Sequence, residues 1–155
     1  NYSKIDTLVV LGHGIEADRV FLERIIKKCT HLKKVVIFRY AGESDDSFNS
    51  KANFFRPYCK RIRSIMYRWS EKATPDFILF TKQLVEIQAA FFHVRIYFRS
   101  VLTVRPWGRT NLHYTSKHRL CDTTRQLVRG DPWNPIQIGE WIREKTRCTH
   151  PVLAG

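Results

Sequence analysis

The chain is predicted to be α/β: a short right-handed solenoid of three to four βα turns over residues 1–104, with a basic extension over 105–155 that is irregular or partly disordered. Three observations carry that prediction. An apolar L-x-x-L-x-L pattern fits Ile5-Leu8-Val10, Leu32-Val35-Ile37, Ile62-Ile65-Tyr67 and, more weakly, Leu84-Ile87-Ala89. A helix-period stretch separates the first two copies. Cysteine recurs in register, three residues before the pattern, at Cys29 and Cys59, with Tyr2 and Thr81 in that slot in the outer copies.

The elements follow in order. Leu8-Val9-Val10-Leu11 makes the first strand. Glu16 and Asp18 favour a helix start, and Val20, Phe21, Leu22, Ile25 and Ile26 supply its apolar stripe. Lys27 and Lys28 close the helix where its dipole favours cations. The second strand ends at Phe38-Arg39-Tyr40. The acidic stretch Ala41 to Ser50, rich in Gly, Ser and Asp, reads as a surface loop. Ser44 and Ser47 in it offer acceptors to an acid-directed kinase, though a solvated loop is the simpler reading. The third strand ends Met66-Tyr67-Arg68-Trp69. A fourth copy 22 residues after the third leaves little room for a helix around Pro75. Beyond Val104 no repeat junction can be placed, but Ile138, Trp141, Ile142 and Lys145 lie on one short amphipathic helix that Pro151 stops.

The stretch Leu22-x-x-Ile25-Ile26-x-x-Cys29-x-x-Leu32-x-x-Val35-x-Ile37 resembles the cysteine-containing leucine-rich repeat found in F-box proteins. The resemblance covers roughly residues 2–92 and is repeated in part at Ala52, Phe55, Cys59 and Ile62. It departs from the family after each strand, where His13, Tyr40, Ser70 and Phe92 replace asparagine or cysteine. It implies non-catalytic recruitment of a substrate to an SCF-type ubiquitin ligase, with ligase machinery as a partner and the F-box upstream of Asn1. The start at Asn1 fits a fragment or processed piece.

Charge points to an acidic partner. The 155 residues carry 27 Lys and Arg against 14 Asp and Glu, a net +13. Seven basic residues fall between Lys51 and Lys72 against Glu71 alone, interleaved with Tyr58, Tyr67 and Trp69. Strand residues outside the apolar slots are expected on the concave face. That selects Lys33, Lys34, Phe38, Arg39, Arg63, Arg68 and Trp69 as the partner-binding set, suited to an acidic or phosphorylated protein segment. The same set suits nucleic acid, with phosphates on the cations and bases on the aromatics. No RNA- or DNA-binding motif accompanies it.

Other chemistries have weaker signals. Gly12-His13-Gly14-Ile15-Glu16-Ala17 satisfies G-x-G-x-x-A after a strand and before a helix, as a Rossmann-type nucleotide site requires. The second strand ends without the acid that holds a ribose, so the glycines are read as a tight turn. Cys29-x-His31, Cys148-x-His150 and His113 with His118 lack the paired halves of a zinc site. Cys121 beside Asp122 would be a nucleophile only with a histidine folded onto it. No catalytic residue, cofactor or metal is assigned. No run of 18 apolar residues occurs to make a transmembrane helix. The four cysteines, without a C-x-x-C pair, read as reduced thiols of an intracellular, cytoplasmic or nuclear protein.

Overall fold

Leu8, Val35, Ile65 and Ile96 stand side by side on four parallel strands, and Val10, Ile37, Tyr67 and Phe98 repeat the arrangement two residues on. The computed structural model describes residues 2–11, 19–40, 42–70, 77–91, 93–104, 111–114, 117–120 and 135–146. The strands are β1 (Thr7–Val10), β2 (Lys34–Arg39), β3 (Ser64–Ser70), β4 (Arg95–Val104), β5 (Asn111–Tyr114) and β6 (His118–Arg119). The helices among them are α1 (Arg19–Lys28), α2 (Asp45–Phe54), α3 (Phe77–Ala90) and α4 (Pro135–Thr146). The architecture is thus α/β, with a mostly parallel sheet in the order β1-β2-β3-β4-β5 and β6 pairing β4. Both β5 and β6 run antiparallel to β4. No described helix is long and apolar enough to cross a membrane.

Alternation divides the sheet into two faces. Val35, Ile37, Ile65, Tyr67, Ile96 and Phe98 are fully buried on the side that meets the helices. There Phe80 of α3 sits among Phe48, Tyr67 and Trp69, with ring centroids 5.6, 5.1 and 5.5 Å away. Aromatic pairs of this kind add about 0.5–1.5 kcal/mol beyond the area they bury. Phe98 meets Trp141 of α4 edge-on at 5.3 Å.

Successive turns of chain are tied in the same way at each junction. The Lys33, Arg63 and Arg95 amides donate to the carbonyls of Asp6, Lys33 and Arg63, each at 2.8 Å. Side chains add a second tie. His31 Nδ1 contacts the Ser3 carbonyl at 2.6 Å, Arg61 donates to the Cys29 carbonyl at 3.1 Å, and His93 Nε2 meets the Cys59 carbonyl at 2.8 Å. Cys29 and Cys59 are buried free thiols, as their shared register requires.

Three expectations are corrected. The acidic stretch after β2 is not a loop throughout: Ser44 caps α2, its hydroxyl accepting from the Ser47 amide, and Asp45 and Asp46 occupy the first turn. Gly42, at φ +90°, makes the turn that precedes it. The fourth apolar copy belongs elsewhere. Leu84, Ile87 and Ala89 lie within α3, and the fourth strand is β4, with Ile96 a further 31 residues after Ile65. Helical spacing and strand spacing both satisfy a short apolar pattern, and the helix wins because Phe80, Leu84 and Ile87 bury one face against the sheet. On α1, Val20 and Phe21 are 65% and 61% exposed, and the face toward the core is Leu22, Ile25 and Ile26.

The boundary expected at 104 coincides with the end of β4, and elements beyond it continue the same sheet and core. Leu120, Ile138, Trp141 and Ile142 join the buried cluster, and the Ser100 hydroxyl donates to the Thr146 carbonyl at 2.8 Å. The amphipathic helix expected around Ile138 to Lys145 is α4. Its expected stop at Pro151 lies outside the described residues, as do the motif Gly12 to Ala17 and Cys121, Cys148 and His150.

A candidate ligand-binding face on the open side of the sheet

The sheet face opposite the helices holds a groove of about 740 Å³, lined among others by Lys34, Arg63, Met66, Arg68, Arg95 and Lys117. Strand register composes it. Lys34, Ser64 and Arg95 are neighbours across β2, β3 and β4, followed by Val36, Met66 and Tyr97, then Phe38, Arg68 and Arg99. None of these three strands contains an acidic residue.

The charges are correspondingly uncompensated. Among the described residues Lys34, Arg63, Arg68 and Arg95 make no side-chain hydrogen bond or ion pair, and the Arg68 Nε is buried without an acceptor. Adjacent strands lie about 4.8 Å apart, so Lys34, Arg63 and Arg95 face one another across about 10 Å or less, close to the Debye length of about 8–10 Å, and Arg68 stands about 13 Å further along β3. An anion entering the groove relieves that repulsion. Lys117 lies over the Tyr97 ring, 4.5 Å from its centroid, and closes one edge. The lysines and arginines supply N–H donors alone. His93, at the rim, spends its Nε2 proton on the Cys59 carbonyl.

The residues selected from the sequence separate into two groups. Lys33, Lys34 and Arg63 are exposed at the strand starts, and Phe38 and Arg68 are half-buried on the open face. Arg39 and Trp69 are turned the other way. They occupy the odd, core-facing positions of β2 and β3, so alternation takes them away from the groove. Trp69 packs on Phe80. The Arg39 guanidinium pairs with Asp45, donates to the Glu43 carbonyl at 3.1 Å and lies over the Phe48 ring. Both are structural.

The groove also holds Arg95, Tyr97 and Lys117, which lie outside the set expected from the sequence. Arg95 and Tyr97 belong to β4 and Lys117 immediately precedes β6, which pairs with it, and the apolar pattern within α3 mimics a strand earlier in the chain. The signal for them is the alternation Arg95-Ile96-Tyr97-Phe98-Arg99, in which the apolar pair Ile96 and Phe98 faces the core.

Among the described residues, no cluster of three His, Cys, Asp or Glu stands where it could hold a metal ion. Among the described residues the sheet also lacks the arrangement of a doubly wound nucleotide fold. That fold reverses strand order beside its first strand, whereas β1 here is an edge and the order runs on sequentially. Comparison with family models, with curated proteins and with solved structures finds no match for the chain.

Proposed function

We propose that the chain is a non-catalytic recognition module that binds an acidic or phosphorylated protein segment on the open face of its sheet. The observation that carries this reading is the set Lys34, Arg63, Arg68 and Arg95, unpaired among the described residues, in a groove on the open face whose strands β2, β3 and β4 carry no acid. Arginine forks bind carboxylate and phosphate in bidentate fashion, and such charge-assisted bonds are about twice as strong as neutral ones. Complementary charge speeds encounter, and the half-buried Met66 and Tyr97 supply contacts that lengthen the complex's life.

The narrower reading is a leucine-rich-repeat solenoid that presents a substrate to an SCF-type ubiquitin ligase. It is supported by the sequential parallel strands, the recurring ties between turns and the buried cysteines at matching register. Ubiquitin transfer to a substrate carrying the acidic segment is its test.

The test of the binding reading uses a fluorescent peptide rich in glutamate and leucine. Wild-type protein should bind it, and Arg68→Glu with Arg95→Glu should abolish binding with the melting temperature unchanged. Undiminished binding by the charge-reversed protein would remove the groove from consideration. Single-stranded oligonucleotide is the comparison ligand. Preferential binding of it, weakening with log salt by about 0.7 per neutralised phosphate, would assign the face to nucleic acid.

A further inference from the structure

The groove is ordered as well as basic. Its three rows alternate in character along the strand direction. Lys34 and Arg95 flank Ser64 at one end, Val36, Met66 and Tyr97 form the middle, and Arg68, between Phe38 and Arg99 in the register, is the cation that lines the other end. Strands rise about 3.3 Å per residue, which separates successive rows by about 6.6 Å and the two cationic rows by about 13 Å. Met66 lies at the centre of the apolar row, and methionine adapts to varied aliphatic partners.

We infer that the groove selects an extended segment of the form acid-x-apolar-x-acid, its two acidic side chains on the outer rows and the apolar one on Val36 and Met66. This rests on the reading of the open face as a peptide-binding surface. The match is one of period. An extended peptide shows alternate side chains to one side with the repeat of the strands beneath it, so residues i, i+2 and i+4 meet consecutive rows. A helix rises about 1.5 Å per residue, so it spans the cationic rows only with acids about nine residues apart. Lys117 holds one face of the Tyr97 ring, which favours an aliphatic side chain over a stacked base at that row.

Three peptides of identical composition and net charge test the inference by fluorescence anisotropy on the whole chain. One carries Glu-x-Leu-x-Glu, a second carries the same residues with Leu beside Glu, and a third spaces the acids for a helix. The first should bind about tenfold more tightly than either other, as burying one leucine side chain requires. Met66→Glu should erase that preference, and Met66→Leu should keep it, which separates loss of the row from loss of the fold. Equal binding of all three, abolished by Arg68→Glu with Arg95→Glu, would overturn the spacing and leave the acidic-ligand reading standing. Tightest binding of the helix-spaced peptide would overturn the extended geometry. Failure of every peptide would overturn the reading beneath it, and so would preferential binding of single-stranded oligonucleotide.

Discussion

The Lys51 ammonium lies 2.7 Å from the Glu43 carboxylate, and neither side chain is exposed to solvent. The pair joins α2 to the turn that follows β2. Lys51 also donates to the Phe38 carbonyl at 2.6 Å, and the Ser47 hydroxyl donates to the other Glu43 oxygen at 2.8 Å. Burial lowers the Lys51 pKa, and the hydrogen bond and charge of Glu43 oppose that shift. A buried pair of this kind gives little net stability, but breaking it is costly because it strands the remaining charge.

Lys51→Met should therefore destabilise the protein by about 3–5 kcal/mol, because Glu43 is left uncompensated. Adding Glu43→Leu should recover most of that loss, the remainder reflecting the Phe38 carbonyl left without its donor. Urea midpoints of the two single variants and the double variant check the cycle. Additive losses would show that the two groups do not act as a pair.

Arg61 ties β3's approach to the end of α1. Its two terminal nitrogens donate to the Cys29 carbonyl at 3.1 Å and the Ile26 carbonyl at 2.7 Å, where a helix C-terminus welcomes a cation. Arg61→Met should cost about 1–3 kcal/mol, and Arg61→Lys should restore only part, since an ammonium does not reproduce the fork. Thermal melts of the three proteins read the order.

The Cys59 thiol is fully buried, donates to the Phe55 carbonyl at 3.4 Å and is pushed up to about 11 by burial. Little of it is thiolate at neutral pH, and thiolate is the reactive form. With Cys121 and Cys148 replaced by serine, native protein should release no colour from a disulfide thiol reagent, and both Cys29 and Cys59 should react once urea unfolds it. Stoichiometric labelling without urea would contradict the burial of both thiols.

His118 stacks on Phe98 at 5.8 Å and meets Trp141 edge-on at 6.1 Å. Burial there, and then the charge of Lys145, lower its pKa below the ordinary 6.5. The unfolded chain thus takes up a proton before the native one does. The stability from a neutral His118 is fully present above pH 6.5 and is lost as pH falls through the native pKa. Melting temperature should fall on acidification through that window, and the fall should be smaller in His118→Phe, which keeps the aromatic packing. An equal fall in both proteins would assign the acid sensitivity to other groups.

Much of the fold is legible in the residue pattern because a strand with one buried face must alternate. Leu8-Val10, Val35-Ile37 and Ile65-Tyr67 declare three strands, and the register of β2 on β3 is that of Cys29 on Cys59. The helix α2 carries its own signal in Ser44 followed by Asp45 and Asp46, a cap and an acidic first turn, although its polar composition resembles a loop. β4 is harder to see. The apolar residues of α3 offer an equally good short pattern earlier in the chain, and no local energy term separates the two.

The basic charge, the alternation of the first three strands and the core positions of Cys29 and Cys59 are encoded locally, since each follows from composition and period. Which cations share a surface depends on how distant strands pair. Arg39 and Arg68 look alike in the chain, yet one lies against Asp45 beneath α2 and the other lines the open groove, because strand parity turns them to opposite faces. Arg95 and Lys117 reach the same groove from distant parts of the chain through parallel pairing of β4 with β3 and antiparallel pairing of β6 with β4. Pairing between remote strands is fixed by burial of the whole helical face, and no single segment encodes it.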